Sequence, residues 1–168
     1  RHHLCQECFR HMNAGMDDLY REVILDHHRS PRCKESLECC DAVAAGKNPS
    51  CGDEVTLQLA LEGDRISGLS VQTAGCAIAT ASGSILGEVV RGLTLEEASS
   101  LAENFREVMH SDDGILPDDP DPGDLEVLTG VRNFPVRVKC ALLPWITLLE
   151  AVVARRQGRN PGETTTEV

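Results

Sequence analysis

Apolar positions along this chain repeat at helical spacing first and at strand spacing later. Between Asp17 and His28, the residues Leu19, Val23 and Ile24 fall at helical spacing, with His27 a further candidate for that face, and Asp17 or Asp18 is placed to cap its start. Pro31 ends that helix, because proline disfavours helical geometry in the residue before it. Glu38 to Ala44 reads as a short first strand and Asn48-Pro49 as a turn. From Val55 the period is two: Val55, Leu57, Leu59 and Leu61 alternate with Thr56, Gln58 and Ala60, as in a half-buried strand. Glu62-Gly63-Asp64 is a hairpin turn, and Ile66 to Thr73 returns antiparallel with Gly68 at a bulge.

After Gly75-Cys76 the run AIATASGSILGEVV is dense in small residues, which suits a helix lying close against that sheet. Thr94 and Glu97 form a capping box, and the helix they open carries Ala98, Leu101, Ala102, Phe105, Val108 and Met109 on one face. The acidic, Pro- and Gly-rich stretch HSDDGILPDDPDPG reads as a mobile surface loop, after which Leu125, Val127, Leu128 and Val131 return to the core. The last helix is expected to begin near Cys140, where Pro144 would fall in a tolerant first turn, and to run to about Val153. Residues 1–15 read as an extension or expression remnant ahead of Met16, residues 16–154 as the domain, and residues 155–168 as a disordered tail.

A chain of 168 residues with 41% hydrophobic content supports one core, and the 3% aromatic content means that Leu, Val, Ile and Ala must fill it. The net charge of -11, from 27 acidic against 16 basic residues, would repel a phosphate backbone, so nucleic acid is excluded as a partner. No apolar run approaches the roughly 20 residues that cross a bilayer, and no charged-then-apolar leader opens the sequence. The expectation is a soluble cytoplasmic protein with no membrane contact. In such a reducing compartment eight cysteines point to metal or sulfur chemistry before disulfides.

Three cysteines occupy comparable positions: Cys51 before a strand, Cys76 at a strand-to-helix turn and Cys140 near the expected start of the last helix. Positive helix ends would favour thiolate at the latter two. With Asp53 they make three soft thiolates and one carboxylate, a set suited to four-coordinate Zn2+. Gly52 would let the backbone turn tightly enough for Cys51 and Asp53 to reach one ion. By spacing alone, any one of these cysteines reads equally well as inert core. A separate soft-metal site is open to Cys5 and Cys8 with one of His2, His3 or His11.

In order along the chain, LYREVILDHHRSPR, NPSCGDEVTL, GCAIATASGSIL and FPVRVKCALLPW resemble the SufU branch of the IscU/NifU N-terminal family of iron-sulfur cluster assembly proteins. The resemblance spans roughly Met16 to Val153. It implies an α+β fold in which a three-stranded antiparallel sheet is backed by helices, with an exposed metal site at one end. It also implies Cys51, Asp53, Cys76 and Cys140 as metal ligands. Lys139, where scaffold-type members usually carry histidine, and the long interval from Cys76 to Cys140 resemble the SufU branch more closely than the scaffold branch. That branch implies Zn2+ and a sulfurtransferase role: accepting persulfide sulfur from a SufS-like pyridoxal-phosphate cysteine desulfurase and working with the Fe-S assembly machinery. A histidine of that partner would displace the cysteine at position 51, the expected acceptor, with Cys140 as runner-up. Two other readings compete: a scaffold carrying a transient Fe-S cluster on the same ligands, and a purely structural zinc interaction module.

Arg137 stands near this set and is read either as a steering residue or as a solvated arginine. Cys33, Cys39 and Cys40 match no ligand position, although the adjacent pair could compete for metal or oxidise. His27 and His28 read as surface or partner contacts.

Overall fold

Ten- and seven-residue stretches with alternating burial build the sheet at the centre of the computed structural model, which describes residues 18–111, 114–158 and 163–165. Helix α1 (Asp18–Arg29) precedes β1 (Ala42–Asn48), β2 (Asp53–Glu62) and β3 (Arg65–Ala74). Helices α2 (Ala77–Val90) and α3 (Leu95–Met109) follow. The short α4 (Leu125–Leu128), a 3-10 turn (Thr129–Asn133), the long α5 (Pro135–Arg156) and β4 (Glu163–Thr165) complete the order.

The strands β1, β2 and β3 form an antiparallel meander with β2 central. Ala42 faces Leu59 at one end of the β1–β2 ladder and Asn48 faces Asp53 at the other. Val55, Leu57 and Leu59 turn one face of β2 into the core, as their alternation predicts. The register slips between Ala60 and Leu61, so that Ser67 is the extra residue of a bulge beside Gly68. Gly63 supplies the positive φ of 63° that the β2–β3 turn requires. Against the sheet lies α5, flanked by α2 and α3. Phe105 of α3 meets Trp145 of α5 with ring centroids 5.6 Å apart and a tilted geometry, a favoured arrangement for two aromatic rings. No helix among the described residues is long and apolar enough to cross a membrane.

Four expectations change. The first strand runs over Ala42–Asn48 rather than 38–44, because Asn48-Pro49 is not a turn ahead of the hairpin but its first half, closing β1 onto β2. The last helix starts at Pro135, five residues before Cys140, with Pro135 in the tolerant first position and Pro144 in the interior. An interior proline costs about 3 kcal/mol. That cost is offset because Val138, Leu142, Leu143, Trp145 and Leu148 around it are all buried, each large apolar side chain contributing about 1.5–3 kcal/mol.

The segment read as a disordered tail supplies the last two residues of α5, Arg155 and Arg156, and then β4, which pairs parallel with Ala45–Lys47 of β1 and occupies the sheet edge that β1 would otherwise expose. The acidic loop after α3 does lie on the surface, but Leu116, Pro120 and Pro122 are buried and Arg132 donates to the Gly114 carbonyl, so it is pinned at several points. Residues 1–15, with Cys5, Cys8, His2, His3 and His11, lie outside the described residues.

Candidate metal centre

The β1–β2 connection carries the first candidate ligand. The Asn48 carbonyl accepts from the N–H groups of Cys51 and Gly52, and Gly52 adopts φ 73°, so the chain reverses within four residues and re-enters β2 at Asp53. The β3–α2 junction supplies the next. Gly75, at φ 150°, lies so close to Asp53 that a Cβ there would sit 2.9 Å from the Asp53 Cα. Only glycine permits that approach. It allows the Cys76 N–H to donate to Asp53 Oδ1 at 2.9 Å. Cys76 is the N-cap of α2, its Sγ accepting from the Ala79 N–H at 3.5 Å, as the sequence predicts for a thiol at a helix start. Cys140 comes from the second turn of α5 instead, so helix-end stabilisation of thiolate belongs to Cys76 and not to Cys140.

These elements bring Cys51, Asp53 and Cys140 into one cluster, with Cys76 at its edge beside Asp53. Cys140 Sγ is 3.4 Å from Cys51 Sγ, and Cys76 Sγ is 3.8 Å from Asp53 Oδ2. The ligand atoms of Cys51, Asp53 and Cys140 all lie within 4.8 Å of one another. Tetrahedral sulfur ligands about 2.3 Å from a zinc ion stand about 3.8 Å apart, so the spacing of Cys51, Asp53 and Cys140 fits Zn2+, and Cys76, 3.8 Å from Asp53, supplies the chemistry of a fourth ligand from the edge of the cluster. Cys51 is half-buried, whereas Asp53, Cys76 and Cys140 are buried.

Burial pushes the Asp53 carboxyl above its ordinary pKa, and the neighbouring Cys76 adds to the effect. The Cys140 thiol is driven far up, first by its hydrogen bond with Cys76 and then by burial. In the metal-free chain the site therefore holds protons that a divalent cation would displace. Arg137, one helical turn before Cys140, brings Nη1 to 3.9 Å from Cys51 Sγ, which places it at the site rather than in bulk solvent.

Asn48 was visible in the sequence only as a turn former. It is 1% exposed, and its Nδ2 amide lies 3.4 Å from Asp53 Oδ2 and 3.8 Å from Cys140 Sγ. The remaining candidates are elsewhere. Cys39 and Cys40 are exposed just before β1, at the opposite end of that seven-residue strand. A strand of that length spans about 20 Å, so within one chain the pair does not compete for this metal. Cys33 lies against Gly87 of α2. His27 is not a surface contact: it is 1% exposed, with Nδ1 2.7 Å from Ser84 Oγ and Nε2 2.8 Å from Asp124 Oδ2, tying α1 to α2 and to the start of α4.

The family model for the NifU-like N terminal domain matches residues 19–141, a span that includes every ligand candidate of this centre. The chain belongs to that family. It is 39% identical over 149 residues to the zinc-dependent sulfurtransferase SufU of Bacillus subtilis, a match covering 88% of this chain and 98% of the relative. It is 36% identical over 139 residues to the iron-sulfur cluster assembly scaffold protein IscU of Streptococcus pyogenes, covering 83% and 86% of the two chains.

Among solved structures, this member of the NifU-like N-terminal family is similar to an iron-sulfur cluster assembly scaffold protein described for the SUF system of Fervidobacterium islandicum. The TM-score is 0.72 and the identity 37%, with 78% of this chain and 94% of that one covered. The N-terminal domain of a NifU-like protein from Brucella abortus shares the fold at TM-score 0.76 and 23% identity, with coverage of 84% and 96%. The α+β fold and the SufU-type resemblance inferred from the motifs thus stand, and the chain falls among iron-sulfur cluster assembly proteins.

Proposed function

We propose that this chain is a zinc-dependent sulfur acceptor and carrier that takes persulfide sulfur from a pyridoxal-phosphate cysteine desulfurase during iron-sulfur cluster assembly. The observation that carries the reading is the unequal exposure of the candidate ligands. Cys51 alone reaches solvent, on a glycine-containing turn, while Asp53, Cys76 and Cys140 are buried beneath it. A purely structural zinc module calls for a closed set, whereas transfer needs one reachable sulfur above a fixed base. The similarity to a zinc-dependent sulfurtransferase supports the same choice.

Bound Zn2+ would hold the cysteines as thiolates at neutral pH. Asp53, Cys76 and Cys140 keep their positions through buried contacts, Cys76 with Asp53 and Cys140 with Asn48 at the end of β1. Cys51 thiolate then attacks the outer sulfur of the partner's cysteine persulfide. A new S–S bond forms at Cys51, the partner's S–S bond breaks, and its cysteine leaves as a thiolate. Arg137, beside Cys51 Sγ, supplies positive charge where the anionic persulfide would rest.

The test is a desulfurase assay with and without the protein. Stimulation should be lost in Cys51→Ala while far-UV circular dichroism stays unchanged. Stimulation that survives would sink the acceptor role. The scaffold reading uses the same three thiolates, which suit iron as well as zinc, and similarity to IscU keeps it in view. Iron with acid-labile sulfide in the purified protein, and little zinc, would decide for it.

A further inference from the structure

Asn48 spends its backbone carbonyl and both ends of its side-chain amide on the metal centre and on the turn that carries it. It ends β1, directly opposite Asp53 in the antiparallel register, and is 1% exposed. Its backbone carbonyl accepts from Cys51 and Gly52. Its side-chain Oδ1 accepts from the Ser50 N–H at 3.2 Å, which fixes the orientation of the amide. Nδ2 is thereby turned inward, with Asp53 Oδ2 at 3.4 Å and Cys140 Sγ at 3.8 Å. A primary amide carries two N–H donors, enough for one to each.

We infer that Asn48 is a positioning residue of the metal centre, whose amide donates to the Asp53 carboxylate and the Cys140 thiolate and so sets their separation and orientation toward a cation. The inference rests on the reading of these residues as a zinc site. Two of its features go beyond turn geometry. An Asx turn needs only the Oδ1 acceptor, so the inward Nδ2 is not required by the chain reversal. Burial would also leave that donor costly to bury if nothing accepted from it, and its two acceptors are both candidate ligands. Outer partners of this kind orient ligating groups and tune their basicity, and their loss typically weakens metal binding about 10–100-fold.

Two variants separate the amide donor from the turn. Asn48→Asp is nearly isosteric and keeps the acceptor for Ser50, but it has no N–H and adds a negative charge beside Asp53. Asn48→Ala removes donor and acceptor together. Zinc affinity should be measured by competition with a chromophoric chelator, and the Co2+-loaded proteins examined for their thiolate-to-metal charge-transfer band. Both variants should bind zinc about 10–100-fold more weakly than the wild type. The Co2+ band should move to lower energy as the Cys140 sulfur loses its N–H donor. Wild-type zinc affinity and an unshifted band in Asn48→Asp would overturn the inference, and weakening confined to Asn48→Ala would assign the role to the turn alone. A wild-type protein that takes up no zinc would overturn the zinc reading and this inference with it.

Discussion

Cys140 Sγ lies 3.4 Å from Cys51 Sγ although 89 residues separate them, one on a helix and the other on a strand turn. Without a cation between them, the two thiols are poised for each other. In metal-free protein, a mild oxidant such as diamide should join Cys51 to Cys140, read as a single cross-linked peptide pair by mass spectrometry. Zinc loading should slow that reaction at least tenfold. A cross-link through Cys39 or Cys40 instead would contradict their placement at the far end of β1.

The four candidate ligands should act as a set. Asp53→Ala and Cys76→Ala should each reduce zinc in the purified protein from about one per chain to well below that, measured by elemental analysis. Full occupancy in Cys76→Ala would remove the buried cap cysteine from the ligand set.

Zinc uptake should release protons. Burial raises Asp53, and the bond with Cys76 raises Cys140, so the metal-free folded chain retains protons at the site. A raised folded pKa means that a cation competes with those protons more as pH falls. Titration in buffers of different ionisation enthalpy should show proton release, and zinc affinity should decline steadily from pH 8 to pH 6. A flat profile would contradict the protonated state of the free site.

Gly75→Ala should damage the centre without touching a ligand. A Cβ there would sit 2.9 Å from the Asp53 backbone at a φ of 150°, so Asp53 has to move. The strained backbone should cost on the order of 1–3 kcal/mol in a denaturant titration, with weaker zinc binding. An unchanged midpoint would show that the junction relaxes freely.

The capping box of α3 gives a second pH signature. Thr94 accepts from the Glu97 N–H at 3.1 Å, and the Thr94 N–H donates to Glu97 at 2.9 Å. The bonds with Thr94 hold the Glu97 carboxyl below its ordinary 4.5. A lowered folded pKa contributes stability that is present above about 4.5 and is lost as pH falls through the folded value. Thr94→Ala should cost about 1 kcal/mol at pH 7. Glu97→Gln should be less stable than the wild type at pH 7 and approach it at pH 3, and a difference that does not shrink on acidification would show that the carboxylate plays no part.

What the sequence determined by itself was local. Alternation in Val55–Leu61 placed β2, small residues after Cys76 placed α2, and the Thr94–Glu97 spacing placed α3, because each pattern is set by neighbours within a turn or two. The four candidate ligands were legible as residue types on such elements, with Gly52 as the hinge between two of them.

Tertiary structure decided what depends on distant partners. Pro144 looked like a first-turn proline until burial around α5 outweighed its missing hydrogen bond. His27 looked like the exposed end of a helix until Ser84 and Asp124 closed over it. β4 had no hydrophobic period to reveal it, since its pairing follows from a free edge of β1. Asn48 read as a turn former because the two groups that accept from its amide come from another strand and from a helix 92 residues away. Local periodicity records which face a residue buries, but only the assembled fold fixes what that residue meets there.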